Sequence, residues 1–328
     1  MLGMVVSLSA TSSDYPLSDH YDGKLFHNPK GDHLQGFLEV LKWKWNATPA
    51  EWPEVIENKN FKLTPLAENS KGVVTFINHA TFLLQLPGLT ILTDPVYSER
   101  VSPFRFMGPK RIRVPGITLD DLPPIDVIIV SHNHYDHMDL ETLKIIDGKF
   151  HPLVIVPLGN AALLKSEGIR NVHEIDWWQD IKVRENRITL TPSEHWSSRT
   201  LWDKNEALWG CYMIQTPQLK IFFGGDTGYG GHFLDVKSRL GAPDAALLPI
   251  GSYEPRWFMK FHHMNPAEAV QAHLDLGAAK SFGMHFGTFH LSDEGVNEPE
   301  SALKESMKKN KIDAAQFTVP EQGESFIF

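Results

Sequence analysis

The sequence predicts an α/β protein in which strands dominate and helices come one at a time between them. Short apolar runs broken by turn residues give the strands, and isolated stretches with end signals give the helices. No short-period repeat marks a solenoid. Two packed sheets with helices outside and a single open sheet both accommodate this order.

Residues 1–70 are expected to form an arm that packs on a catalytic domain of residues 71–328. Met1–Ala10 is mildly apolar but has no Lys or Arg, so it lacks the basic start of a secretory signal. A cytoplasmic location is expected, with export left open. Residues 11–70 are polar except for Phe37-Leu38-Glu39-Val40-Leu41-Lys42-Trp43-Lys44-Trp45. That segment reads either as packing its tryptophans on the body or as an interfacial element, because Trp flanked by Lys suits a membrane–water boundary. From Gly72 the texture changes. Residues 72–77, 81–86 and 89–92 read as strands, with Asn-His-Ala and Pro-Gly turns between them. Residues 126–130 form an apolar strand ending in Ser131-His132, followed by a helical stretch at 140–146. Further strands are expected at 153–156, 188–191, 221–223, 245–250 and 280–285. Asn265-Pro266-Ala267-Glu268 is a helix start, with Asn as cap, Pro in the first turn and Glu three residues beyond the cap. Gly277 closes that helix.

Composition excludes several classes. The 328 residues are 42% hydrophobic and 22% charged, ample for a core. The charge sum is 31 − 40 = −9, which argues against nucleic-acid binding. No apolar run approaches the ~18–20 residues needed to span a bilayer. Cys211 is the single cysteine, so neither an internal disulfide nor a thiolate zinc cage is available.

The decisive run is Ser131-His132-Asn133-His134-Tyr135-Asp136-His137-Met138-Asp139, just past a buried strand. Crowded imidazoles and a carboxylate repel or desolvate one another without a cation, and neutral imidazole with carboxylate suits zinc or a similar ion. On a turn, His132 and His134 can face one ion while Asp136 and His137 reach a second. Asp139 is expected to cap or support the loop. His195, Asp226 and His285 follow at later strand ends, where scaffolds display function. Together these supply seven candidate ligands: His132, His134, Asp136, His137, His195, Asp226 and His285.

The pattern His132-x-His134-x-Asp136-His137, then an isolated His, a Gly-Asp and a late His, resembles the metallo-β-lactamase superfamily. That resemblance implies an αββα sandwich of two packed mixed sheets with helices on the outer faces, and a two-metal site at the sheet edges. In it His132, His134 and His195 hold one zinc ion, Asp136, His137 and His285 the other, and Asp226 bridges. A narrower resemblance, over roughly residues 70–290, is to the N-acyl-phosphatidylethanolamine-hydrolysing phospholipase D family. Thr93-Asp94-Pro95, residues 107–111, Asp176-Trp177-Trp178, Gly225-Asp226-Thr227-Gly228-Tyr229 and Tyr253–Lys260 carry it. Two departures bear on substrate: Phe286 replaces a Trp of the animal members, and His262 stands where glutamine is expected, beside the expected His263.

The resemblance implies that a hydroxide held between two divalent ions attacks phosphorus, giving phosphatidate and an N-acylethanolamine. Residue types alone support metal-assisted hydrolysis of a phosphodiester, a lactone or an amide, and a lactonase on the same site is the competing reading. Asp136, Asp226 and His263 are the expected catalytic groups. His263, Tyr135, Arg199, Tyr253 and Arg256 are the expected substrate contacts, the two arginines because guanidinium suits phosphate oxygens. For Tyr135, Arg199 and Arg256, packing or salt-bridging stands as the alternative. Asp94 is a candidate acceptor for the outer N–H of a ligand imidazole. A phospholipid substrate implies peripheral membrane contact, and the animal relatives imply a homodimer.

Overall fold

Val73–Asn78 (β1), Thr81–Leu86 (β2) and Leu89–Thr93 (β3) form an antiparallel meander, closed by the hydrophobic alternation of each run and by Gly88 in a left-handed turn (φ 70°). In the computed structural model, which describes residues 15–28, 31 and 37–328, the helix Phe37–Asn46 (α1) precedes this meander. The Met1–Ala10 segment, read above for export, lies outside the described residues.

The first sheet continues through the parallel strands Val127–Ile129 (β4), Leu153–Pro157 (β5) and Val172–Ile175 (β6). Leu140–Phe150 (α2) and Ala161–Ser166 (α3) connect them. A second sheet begins with Asp180–Val183 (β7), Asn186–Thr191 (β8), Cys211–Gln215 (β9) and Lys220–Phe223 (β10), all antiparallel. It becomes parallel at Ala245–Pro249 (β11), Lys280–Met284 (β12) and Phe317–Thr318 (β13). Its helices are His232–Leu240 (α4), Arg256–Met259 (α5), Pro266–Leu276 (α6) and Glu298–Asn310 (α7). The last strand, Ser325–Ile327 (β14), returns to pair with β1. Each sheet has seven strands, in the orders β14-β1-β2-β3-β4-β5-β6 and β13-β12-β11-β10-β9-β8-β7.

Alternation along the strands assigns each residue to a layer. Val127 and Ile129 of β4 meet Leu190, Tyr212 and Leu247 between the sheets, while Ile128 turns outward to Leu143 and Ile146 of α2. On the second sheet Ala246 and Leu248 of β11 face outward, against Val270 of α6 and Leu303 of α7. The architecture is therefore the αββα sandwich, with mixed sheets and outer helices. The Asn265 cap is realised in full: its side chain accepts from Glu268 N–H, Glu268 accepts from Asn265 N–H, and Gly277 ends the helix at φ 64°.

Described residues before β1 are tied to the body at several points. The Tyr15 hydroxyl donates to Glu174, the Asn28 amide to the His195 carbonyl, and Trp52 Nε1–H to the Glu294 carbonyl. Trp43 of α1 donates to Asp293 at 3.1 Å and its ring packs 5.0 Å from Phe258, whereas Trp45 is 90% exposed. Trp43 thus takes the packing reading, and Trp45 lies exposed. Among the described residues, no helix is long and apolar enough to cross a membrane.

Candidate metal centre

The metal loop starts where β4 runs out. Asp94, just past β3, fixes its first residues: one carboxylate oxygen accepts from Ser131 N–H at 2.7 Å. The other accepts from the Ser131 hydroxyl and from His137 Nδ1–H, both at 2.6 Å. Ser131 Oγ in turn stands 2.9 Å from His132 Nδ1. With Nδ1 of His132 and His137 held in this way, each ring presents Nε2 to the pocket. The loop ends on Asp139, which caps α2 through Thr142 and accepts from Tyr97 and Ser98 N–H. Gly225 permits the close approach of the opposite sheet: it sits at φ 51°, and a Cβ there would stand 2.5 Å from Ser131 Cβ.

The structure brings all seven candidate ligands into one pocket, in two groups. In the first, His132 Nε2 lies 2.9 Å from His134 Nδ1, and His195 Nε2 lies 3.3 Å from the same atom. His195 keeps Nε2 free for this by donating Nδ1–H to the His262 carbonyl at 3.0 Å. In the second, His285 Nε2 and His137 Nε2 stand 3.2 and 3.5 Å from Asp136 Oδ2. One oxygen faces both groups: Asp226 Oδ2 is 3.2 Å from His137 Nε2 and from His285 Nε2, and 3.9 Å from His195 Nε2. Atoms bound ~2.1 Å from one ion are themselves about 3–4 Å apart, so both groups have the dimensions of a cation site.

The electrostatics point the same way. Burial holds His132 and His195 far below the usual imidazole range and His134 at about 4, so these three stay neutral. Burial also disfavours charge on His137 and His285, but the Asp226 and Asp136 carboxylates outweigh it. They lift His137 above the ordinary value and His285 to about 9. Against burial, which favours their neutral forms, the neighbouring imidazoles hold both carboxyls well below the usual carboxylate range. Three neutral imidazoles, His132, His134 and His195, beside two anionic carboxylates onto which His137 and His285 turn Nε2, form a donor set suited to divalent cations.

The remaining sequence candidates fall into different places. His263 borders the site, its Nδ1 3.8 Å from Asp226 Oδ2, and burial lowers it to about 4. Arg199 Nη1 donates to the Asn133 and Met138 carbonyls at 2.8 and 2.9 Å. Its guanidinium also lies over Tyr135, 4.0 Å from the ring centroid. It braces the metal loop. Arg256 is likewise engaged: Nη2 meets Glu268 at 2.7 Å and Nη1 donates to the His263 carbonyl at 2.9 Å, so it positions His263. The Tyr135 hydroxyl donates to the Arg199 carbonyl at 2.8 Å, which is the packing role. Tyr253 is buried, and its backbone N–H lies on the Glu294 carboxylate. Two contributors escaped the sequence reading. Asn28 clamps the backbone of His195 through both its amide groups, and His79 lies beside Asp136.

The β-lactamase superfamily domain matches residues 89–286. The chain belongs to the metallo-β-lactamase superfamily. It is 34% identical to N-acyl-phosphatidylethanolamine-hydrolyzing phospholipase D 1 of Caenorhabditis elegans, over 97% of this chain and 98% of that protein. A mitochondrial phospholipase D of the same description from Saccharomyces cerevisiae is 42% identical over 66% of this chain, but only 48% of its own length is matched. Two solved structures share the fold. The metallo hydrolase Igni18 of Ignicoccus hospitalis has a TM-score of 0.59 and 22% identity, over 78% of this chain and 98% of that one. An isothiocyanate hydrolase from Delia radicum gut bacteria has a TM-score of 0.63 and 19% identity, over 78% and 99%. This superfamily member is a metal-dependent hydrolase.

Proposed function

We propose that the chain is a two-cation phosphodiesterase of phospholipase D type. It cleaves N-acyl-phosphatidylethanolamine or a related glycerophospholipid into phosphatidate and an N-acylethanolamine. The near full-length likeness to the worm phospholipase D carries this reading, because it covers 97% of this chain and so extends far beyond the metal motif. Two divalent ions, zinc being suited to this donor set, supply an acidified water and polarise a phosphoryl oxygen when bound. The residues do the rest. His132, His134 and His195 define one position, Asp136, His137 and His285 the other, and Asp226 sets the spacing between them. His263, neutral and held through Arg256, is placed to offer its ring to a phosphoryl oxygen or to the departing alkoxide. Water oxygen bonds to phosphorus, the phosphorus–oxygen bond to the amino-alcohol side breaks, and the leaving oxygen takes up a proton.

Such a substrate resides in a bilayer, and with net charge −9 the approach must be local. Phe106 (80% exposed), Leu201 (87%) and Trp202 (86%) are candidates for that contact. Their loops border a cavity of about 710 Å³ against Asn133, Tyr135 and Met138 of the metal loop, and none of the seven candidate ligands lines it. The test is product identification by mass spectrometry on vesicles of N-acyl-phosphatidylethanolamine, with ordinary phosphatidylethanolamine and an N-acyl homoserine lactone in parallel. Phosphatidate with N-acylethanolamine is expected. Turnover of the lactone alone would replace this reading with a lactonase.

A further inference from the structure

We propose that Asn28 is a positioning residue of the metal centre. It holds the backbone of His195, so that the arm of residues 15–28 helps to build the cation position shared with His132 and His134. This inference rests on the two-cation reading above. His195 stands four residues beyond Thr191, where the β8–β9 ladder has its last pair with Cys211. Its neighbour Glu194 still leans on the opposite loop, accepting from Gly228 N–H at 2.8 Å and donating its own N–H to Thr227 Oγ1 at 3.0 Å. At His195 that support passes to the arm. The Asn28 side-chain nitrogen donates to the His195 carbonyl at 2.8 Å, and its oxygen accepts from His195 N–H at 3.3 Å. One amide thus does for His195 what a facing residue does in an antiparallel strand pair, satisfying both backbone groups at once. Both residues are buried, so solvent does not make good a lost partner there. The bond from His195 Nδ1–H to the His262 carbonyl sets the rotation of the ring, and the hold on the backbone sets where the ring starts from.

Asn28 is itself held in place. Trp209 Nε1–H lies 3.3 Å from Asn28 Oδ1 and 3.0 Å from the Ser193 carbonyl, tying the arm to the segment that leads into His195. Phe26 N–H donates to the Asn205 carbonyl at 2.9 Å, and Asn205 grips Ser197 through its own N–H at 2.9 Å and its side-chain oxygen at 3.3 Å. The arm therefore reaches residues 195 and 197 by two routes. Farther up, His20 lies between Asp19 and Asp176, 2.7 Å from each, with its ring 4.4 Å from Trp177. The Tyr15 hydroxyl donates to Glu174 of β6, the outermost strand of the first sheet. A sheet edge needs cover. The arm supplies it with one end and holds a metal-binding histidine with the other.

The test is a cobalt(II) titration of the metal-free full chain, read by visible absorption and by equilibrium counting of bound metal, with circular dichroism as the check on folding. It compares the wild type with Asn28→Ala, Asn28→Asp, Tyr15→Phe and His195→Ala. The last of these marks the absorption band of the first cation position. Asn28→Asp keeps the size and the acceptor but not the donor, and carries the test should the alanine variant not fold. Tyr15→Phe cuts the hydroxyl ties to Glu174 and to Gly159 N–H and leaves Asn28 intact. The wild type is expected to bind two equivalents. In the Asn28 variants the equivalent marked by His195 weakens by about tenfold or more, while the other keeps its affinity. Tyr15→Phe binds both as the wild type does. Unchanged affinities in the Asn28 variants overturn the proposal. So does equal weakening of both equivalents, or the same loss in Tyr15→Phe, either of which makes Asn28 a general prop of the fold. A wild type that binds one equivalent overturns the two-cation reading instead, and Asn28 is then judged on whether that equivalent weakens.

Discussion

Asp226→Asn is expected to lower kcat/KM by about 10²–10³-fold, roughly 3–4 kcal/mol of transition-state stabilisation, without unfolding the protein. The side chain keeps its shape, but Oδ2, the one atom facing both His137 and His285 on one side and His195 on the other, loses its charge or becomes an amide donor. A neutral atom at that point neither draws two cations together nor balances them. Its loss is therefore felt at both positions, whereas truncating His195 or His285 removes a donor from one. The measurement is hydrolysis of a soluble phosphodiester at saturating metal, with circular dichroism as the check on folding. A variant retaining more than a tenth of wild-type kcat/KM would contradict the bridging role.

Stripping the cations is the second large effect. Binding at a hundredfold excess over Kd adds about 2.7 kcal/mol per ion. At ~2 °C per kcal/mol for a chain of this size, two ions raise Tm by about 10 °C. The effect depends on pH, with a sign set by the pocket. His79, His132, His134, His195 and His263 have folded values below 6.5, so the metal-free fold loses stability as pH falls below that value, where the unfolded chain takes up their protons. His137 and His285 are raised, so their contribution is complete below 6.5 and is lost as pH climbs through about 9 for His285. Metal-free stability should therefore peak near pH 6.5 and decline toward pH 9. Cations replace those two protons, so the gain in Tm on adding metal should be larger at pH 8.5 than at pH 6.5. Thermal melts with and without chelator check this, and an equal gain at both values would contradict it.

Much of this architecture was legible in the sequence, because the strands next to the site are short, carry apolar runs and are bounded by Gly, Pro or polar turns. β6 and β7 were not, since Val172-His173-Glu174-Ile175 and Asp180-Ile181-Lys182-Val183 alternate charged and apolar residues and lie at the sheet edges. α7, with Lys and Glu through most of its length, presents only a narrow apolar stripe at Leu303 and Met307. The loop ligands announced themselves by crowding. His79 did not, because Asn-His-Ala reads as a turn, and only tertiary structure sets it beside Asp136. The structural contacts of the two arginines were hidden for a related reason. Their partners are the carbonyls of Asn133, Met138 and His263 and the Glu268 carboxylate, and carbonyl acceptors leave no mark in a sequence. Asn28 likewise sits in a polar arm, 167 positions from the histidine it clamps.

The most direct test is an anomalous difference map from a crystal of the zinc-loaded protein, collected at the zinc absorption edge. Two peaks about 3.5–4 Å apart are expected, one among His132, His134 and His195 and the other among Asp136, His137 and His285, with Asp226 reaching both. A single peak, or density away from these side chains, would contradict the paired-cation centre.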